Sequence, residues 1–149
     1  MRKLRLVKAA DVMGFSPENS KGAYASRLLI ESEGVGSQKL MLVHVTMKAG
    51  TMSGRGHVHP VPYDEAYYIL RGQALMEFDE GREAYQIGPD TAVFIPGGTW
   101  HRIRNTGSED LVFLAIWPQM PTEEGINDVS DQRKRAWGTT FRLVSPTAS

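Results

Sequence analysis

A chain of 149 residues without a single cysteine folds without disulfides, and any metal it binds must be held by imidazole or oxygen. This length suits one domain with its own hydrophobic core. Lysine plus arginine (17) balances aspartate plus glutamate (17), so no overall field attracts nucleic acid or an anionic membrane. We therefore expect neither nucleic acid nor a membrane as a partner.

The first 25 residues are predicted to form an N-terminal arm. The segment begins with basic residues, as a signal peptide does, but Lys8 and Asp11 interrupt its apolar residues. A hydrophobic core of about 7–15 residues is therefore missing. No other stretch approaches the roughly 18 apolar residues of a membrane-spanning helix. These observations predict a cytoplasmic protein.

Short apolar or alternating segments separated by glycine- and proline-containing turns follow, from about residue 26 to residue 118. Such segments are typical of β-strands. Because no long helical crossover separates them, the sequence predicts an all-β domain, a sandwich or a barrel. The predicted strands are 26–32, 39–47, 65–72, 73–79, 91–96, 101–105 and 111–117.

The last of these strands, LVFLAIW at 111–117, is apolar at every position. One face would line the barrel, and the other face must also be covered. Either the arm 1–25 folds back over it or a second subunit packs on it. We expect the second subunit, and therefore a homodimer.

Residues 119–149 are predicted to be a C-terminal appendage of the same single domain, 1–149. Asn127 or Asp128 would cap a short helix that runs through Arg135, and Gly138 would end it. The basic cluster 133–135 is interpreted as the solvated end of this helix.

Two histidine-containing segments carry the functional signal. His57 and His59 are two residues apart, so on a strand they project to the same side. The segment PGGTWHRIRN, residues 96–105, places His101 at the start of a strand, directly after a tight turn. All three imidazoles therefore follow glycine- or proline-rich turns, where they can converge.

These segments resemble the two motifs of the cupin superfamily, G-x5-H-x-H-x3,4-E-x6-G and G-x5-P-x-G-x2-H-x3-N. The resemblance covers about residues 40–118. It implies a small, single-domain cupin with a jelly-roll β-barrel, whose main part spans about residues 26–118. The matching residues are His57, His59, Glu65 and Gly72 in the first motif, and Pro96, Gly98, His101 and Asn105 in the second.

The carboxylate spacing departs from the first motif. Five residues separate His59 from Glu65, instead of three or four, whereas Glu65 keeps the six-residue gap to Gly72. Asp64 keeps a four-residue gap from His59 and is the alternative. Strand register is fixed more firmly than loop length, so we favour Glu65 and place the extra residue in 61–63.

The resemblance implies that His57, His59, Glu65 and His101 bind one divalent transition metal. Three imidazoles and one carboxylate suit Fe, Mn, Ni, Cu, Co or Zn. On an octahedral ion they leave two adjacent positions for water, oxygen or substrate, whereas on tetrahedral zinc they would close the site. The positive charge that remains favours a small anionic or chelating organic substrate.

Tyr67 and Glu65 are the candidate catalytic residues, because Glu-x-Tyr places both on one face of a strand. A similar Glu-x-Tyr occurs in the cupin lyases that act on dimethylsulfoniopropionate, where the tyrosine works as a base. A core tyrosine with one hydrogen bond is the alternative. Arg55 and Tyr63, on loops near the barrel mouth, are candidate substrate-binding residues.

Other conspicuous residues are assigned structural roles. His44 lies mid-strand and faces opposite to its apolar neighbours. Trp100 is expected to pack rather than to bind substrate, and Arg102 and Arg104 to lie on the outer face. Asn105 is expected to hold the following turn.

Three functions remain open. The leading one is a metal-dependent oxidoreductase of the dioxygenase type, acting on a small organic acid or an enolisable ketone. The second is a redox-neutral lyase or isomerase of a small carboxylate or sugar acid. The third is a non-enzymatic module that binds a small molecule. Ligand type does not separate the first two, because the same four residues serve both.

Overall fold

The computed structural model describes residues 3–119 and 141–145. Their regular structure is ten β-strands and three short 3-10 turns, so the all-β prediction is confirmed. No helix in these residues is long and apolar enough to cross a membrane. The strands are β1 (Gly14–Pro17), β2 (Tyr24–Ile30), β3 (Leu40–Met47), β4 (Glu65–Arg71), β5 (Ala74–Phe78), β6 (Glu83–Ile87), β7 (Ala92–Ile95), β8 (His101–Asn105), β9 (Leu111–Pro118) and β10 (Phe141–Val144). The 3-10 turns are Ala9–Asp11, Glu18–Ser20 and Asp79–Gly81.

Two antiparallel sheets enclose the core. The larger sheet has the order β10-β1-β2-β3-β9-β4-β7, and the smaller has the order β6-β5-β8. Strands that are distant in the chain are neighbours in both sheets. In particular, β9 lies between β3 and β4, with eight residue pairs from Leu40↔Pro118 to Met47↔Leu111. This arrangement brings the two histidine-containing segments to the same end of the molecule.

The core is built from alternate residues of the central strands. In β3 the odd-numbered positions, such as Val43 and Val45, are buried, and the even-numbered ones are partly exposed. The same alternation in β9 buries Phe113 and Ala115. These side chains pack together with residues of the smaller sheet, among them Met76, in one apolar cluster. Burial that alternates from one residue to the next is typical of strands with one covered face.

Three strands escaped the sequence-based prediction. β6 is exposed at almost every position, so it carries no apolar pattern. β1 contains a glycine and a proline and lies within the predicted arm, yet it pairs with β2 and β10. β10 lies in the predicted appendage. The helix predicted between Asn127 and Arg135 lies outside the described residues.

The outer face of β9 points away from the barrel. Its residues Val112, Leu114 and Ile116 are partly exposed. The strand that forms in the N-terminal arm, β1, is separated from β9 by β2 and β3. The arm therefore does not place its strand over this apolar face.

Asn105 holds together the segments that follow β3 and β8. Its buried Nδ2 donates to the carbonyl oxygens of Met47, at 2.9 Å, and Glu109, at 2.7 Å. Its Oδ1 accepts from the backbone N–H of Gly107 at 2.9 Å. The turn-holding role predicted for Asn105 is confirmed, and it extends to the end of β3.

Candidate metal centre

Residues 50–57 run antiparallel to β8 and behave as an additional strand of the smaller sheet. The backbone N–H of His57 donates to the carbonyl of His101 at 3.1 Å, and the N–H of His101 donates to the carbonyl of His57 at 3.0 Å. The pairing continues where Ser53 N–H donates to Ile103 and Asn105 N–H donates to Thr51. Two histidines that are far apart in the sequence thus become direct cross-strand partners, with ring centroids 4.3 Å apart.

Gly56 lets the chain reach this pairing beneath Trp100. The residue has φ of +90°, and a Cβ placed on it would lie 2.1 Å from an indole carbon of Trp100. Only glycine satisfies both conditions without strain. The indole also lies under the guanidinium of Arg102, whose Cζ is 5.5 Å from the ring centroid. The packing role predicted for Trp100 is confirmed.

The four predicted ligands come together at this end of the barrel. One candidate ligand atom from each of His57, His59, Glu65 and His101 lies within 4.8 Å of the others. Oε2 of Glu65 is 3.0 Å from Nε2 of His59 and 3.1 Å from Nε2 of His101. Glu65 is 1% exposed and begins β4 on the same face as Tyr67 and Ile69.

Asp64, the alternative carboxylate, lies outside this cluster. Its side chain is exposed and accepts the backbone N–H of Gly97 at 3.0 Å. The neighbouring N–H of Gly98 donates to the carbonyl of His59 at 2.8 Å. Gly97 also passes so close to this loop that a Cβ on it would lie 2.2 Å from the carbonyl oxygen of Val61. The extra loop residue is therefore absorbed by contacts with the second motif's turn.

The polar atoms of the cluster are arranged to hold a cation. Nδ1 of His101 donates to the carbonyl of Thr99 at 3.0 Å, which leaves Nε2 without a proton in the neutral ring. That bare nitrogen faces a carboxylate oxygen, so two lone pairs oppose each other. Nε2 of His101 and Oε1 of Glu65 are both buried without a hydrogen-bond partner. A divalent transition metal would satisfy these atoms, since imidazole and carboxylate are its usual ligands.

Burial and mutual proximity control the charges in the cluster. Burial lowers the pKa of His57, and the neighbouring His101 and His59 add to this effect. Together they bring the pKa to about 4. Burial alone would raise the pKa of Glu65, but the close approach of the His101 and His59 rings outweighs it and lowers that pKa. A neutral imidazole and an ionised carboxylate are the forms that bind a metal.

Tyr67 lies against the cluster from the core side. It is 4% exposed, and its ring centroid is 6.2 Å from that of His101 and 4.8 Å from that of Phe113. Burial raises the pKa of Tyr67 well above its usual range, and the carboxylate of Glu65 adds to this effect. The phenol is therefore held in its protonated form, which can donate a hydrogen bond to Glu65.

The two residues predicted to bind substrate, Arg55 and Tyr63, make no polar contact with the cluster in the described residues. Arg55 is exposed and Tyr63 is partly buried, both in the loop between β3 and β4. In the described residues, neither side chain forms a hydrogen bond or an ion pair with the four candidate ligands. His44 lies in mid-β3 on the opposite face from Val43 and Val45, as predicted.

Trp117 was missed by the sequence analysis, although it contacts the cluster. Its ring centroid lies 5.5 Å from that of His59, in an edge-to-face arrangement. It shares the inner face of β9 with Phe113 and Ala115. A signal was present in the sequence: Trp117 has the same odd-numbered alternation as the buried residues of β9, and it carries a polar N–H.

His57 should make the metal-free protein less stable in acid. Its pKa is about 4 in the folded state and roughly 6.5 when unfolded. Between these values the unfolded state binds more protons, so the unfolding free energy should fall as pH is lowered from about 6.5 to about 4. The slope from this one group is at most about 1.4 kcal/mol per pH unit.

Urea denaturation of chelator-treated protein at several pH values measures this effect. The variant His57→Gln removes the titrating group, so its stability should depend less steeply on pH across the same interval. Equal slopes for wild type and variant would contradict the assignment.

The sequence matches known proteins over the same region that builds the cluster. The profile of the cupin domain family matches residues 43–117, which is half of the chain. An oxalate-binding protein from Thermotoga maritima is 30% identical over 96 residues, covering 64% of this chain and 76% of that protein. A glucose-6-phosphate isomerase from Thermococcus kodakarensis is 41% identical over 68 residues, covering 43% of this chain. The match spans only 36% of the isomerase's length.

Solved structures show the same fold. A predicted oxalate decarboxylase from Thermotoga maritima superposes with a TM-score of 0.65 at 23% identity, covering 78% of this chain and all of that one. The polyketide cyclase RemF from Streptomyces resistomycificus superposes with a TM-score of 0.66 at 19% identity, covering 79% and 81%. The predicted jelly-roll is thereby confirmed, and the chain belongs to the cupin domain family.

Proposed function

We propose that the protein is a metal-dependent cupin enzyme that binds one divalent transition metal and a small anionic or chelating organic substrate. The observation that carries this proposal is the convergence of His57, His59, Glu65 and His101, with buried ligand atoms that have no other partner. When bound, such a metal polarises a carbonyl or carboxylate oxygen of the substrate. The oxalate-binding relative supports a small carboxylate as the ligand class.

The residues around the cluster have distinct parts in this proposal. The hydrogen bond from Nδ1 of His101 to Thr99 leaves Nε2 as the ring nitrogen that would bind a metal. Tyr67 stays protonated and orients the carboxylate of Glu65. Its assignment as a catalytic base remains a prediction, and its high pKa favours the role of hydrogen-bond donor.

The reaction class is the finer part of the proposal. Among the relatives, a glucose-6-phosphate isomerase and a polyketide cyclase carry names that describe no oxidation. We therefore place a redox-neutral isomerase or lyase reaction first. The dioxygenase-type oxidation expected from the sequence is the second candidate, because three imidazoles and one carboxylate also suit iron.

Metal binding is tested with variants that separate ligands from their neighbours. Wild type should bind one equivalent of Zn²⁺ or Mn²⁺ after chelator treatment, measured by titration and by metal analysis. His101→Ala and Glu65→Gln should weaken binding by more than about 100-fold, beyond the loss typical of residues that only support a ligand. The matched controls His44→Ala and Asp64→Asn should bind as wild type does. Full retention of metal by His101→Ala would refute the site.

Oxygen dependence separates the two reaction classes. Protein purified without chelators and assayed on small hydroxy acids and keto acids should turn over without oxygen if the chemistry is redox-neutral. Oxygen uptake that parallels substrate loss, together with iron or copper in the purified protein, would contradict a redox-neutral reaction and support the dioxygenase-type oxidation.

We also propose that a second copy of the chain covers the outer face of the larger sheet. Phe94, Leu70 and Tyr68 are 65%, 45% and 37% exposed on this face. Tyr68 pairs with Leu114 of β9, and Ala66 pairs with Phe94 of β7. This row extends the apolar face of β9 to the sheet edge. Exposed apolar patches of this kind are typical of subunit interfaces.

The variant Phe94→Arg should convert a dimer into a monomer, because it places a charge in the interface. Light scattering after size exclusion measures the mass directly. Leu143→Arg is the matched control: Leu143 is 57% exposed, but it lies in β10 at the opposite edge of the sheet. A monomeric wild type, or an unchanged mass for Phe94→Arg, would contradict the proposed dimer.

A further inference from the structure

Two buried polar atoms near the cluster have no role in metal binding. Nε1 of Trp117 and Oε1 of Gln119 are both buried without a hydrogen-bond partner. The first is a donor and the second an acceptor. Leaving such groups unpaired in a protein interior costs free energy. The Trp117 ring lies next to the candidate site, which points to a ligand that pairs with its N–H.

Trp117 lies against His59, and Gln119 follows it two residues along the same segment. The Trp117 ring is in edge-to-face contact with the His59 ring, at 5.5 Å between centroids. The backbone N–H of Gln119 donates to the carbonyl of Lys39 at 3.0 Å, so the pairing of β9 with β3 continues past Pro118. Residues two apart on a paired segment share a face, so Gln119 follows Trp117 along the inner face.

Of the five other unpaired buried atoms in the described residues, two belong to the cluster, and three lie on other strands, in Arg27, His44 and Arg104. Nε2 of His101 and Oε1 of Glu65 are buried and unpaired in the same way, and a cation accounts for both. No cation suits the indole N–H, which has no acceptor atom. Trp117 itself is only partly buried, as is His59, so a ligand that reaches His59 also meets the indole.

We propose that Trp117 and Gln119 form a recognition wall for the hydroxyl-bearing part of a small hydroxy acid. This inference rests on the proposed function, since the acid's carboxylate would bind at the metal. The indole N–H donates to a ligand oxygen, and the Gln119 carbonyl accepts a hydrogen bond from a ligand hydroxyl. The matching ligand must offer an acceptor and a donor beyond its carboxylate, as a polyhydroxy acid does. A simple fatty acid or a small dicarboxylate lacks that donor.

Gluconate and hexanoate are suitable probes, because they have the same number of carbons and differ in their hydroxyl groups. Wild type should bind gluconate more tightly than hexanoate in calorimetric titrations. Trp117→Phe and Gln119→Met should each weaken gluconate binding about three- to tenfold, the range expected for one hydrogen bond. Hexanoate binding should change by less than about twofold.

A second variant removes the donor without changing the ring. Replacement of Trp117 by 3-benzothienylalanine keeps the size of the indole but has no N–H, so it should weaken gluconate binding as Trp117→Phe does. Trp100→Phe is the matched control, since Trp100 packs against Gly56, and its gluconate affinity should be that of wild type. Near-ultraviolet circular dichroism reports whether each variant is folded.

The outcomes distinguish this inference from the proposed function. Metal content is measured for every variant, and failure of wild type to bind metal would overturn the proposed function alone. The titrations are then repeated without metal, because the two hydrogen bonds do not require it. Equal gluconate affinities for wild type and the benzothienyl variant, with or without metal, would overturn the recognition wall. A wild type that prefers hexanoate would do so as well.

Discussion

The backbone pairing between residues 50–57 and β8 is the constraint on which the site depends. Two reciprocal hydrogen bonds join His57 and His101. They fix the relative position of two segments that are separated in the sequence by the strands β4 to β7. An imidazole on a free loop would lose much conformational entropy on binding a metal. Here the pairing fixes the backbone of both histidines whether or not a metal is bound, and Gly56 beneath Trp100 allows the close approach.

Glu65 reaches the same point by an independent route. It is the first residue of β4, and the alternation that buries Tyr67 and Ile69 also turns its carboxylate inward. The apolar core below the cluster and the polar ligands above it therefore belong to the same strand faces. Tyr67 lies at the boundary, with its ring against Phe113 and the Glu65 carboxylate near enough to raise its pKa. A carboxylate this deeply buried is tolerated because the histidines, and a metal when bound, balance its charge.

The parts of the structure that the sequence predicted are those governed by local periodicity and by motif spacing. The central strands, the inward parity of Glu65 and the turn-holding role of Asn105 all follow from such patterns. β6 was missed because its residues are exposed on both faces, so that pairing with β5 alone defines it. Trp117 was missed because the strand is apolar at every position, so its parity identifies an inner face only once the buried residues are known, and the contact with His59 depends on the tertiary arrangement.

The clasp formed by Asp64, Gly97 and Gly98 has a consequence for how this barrel can change. The hydrogen bonds from Gly97 to Asp64 and from Gly98 to His59 bracket the loop 60–63 at both of its ends. Residues can be inserted or removed between those two anchors while the imidazoles and the carboxylate keep their positions. The length of this loop and the positions of the four candidate ligands are thereby uncoupled, so that selection or protein engineering can change the loop while the cluster is preserved.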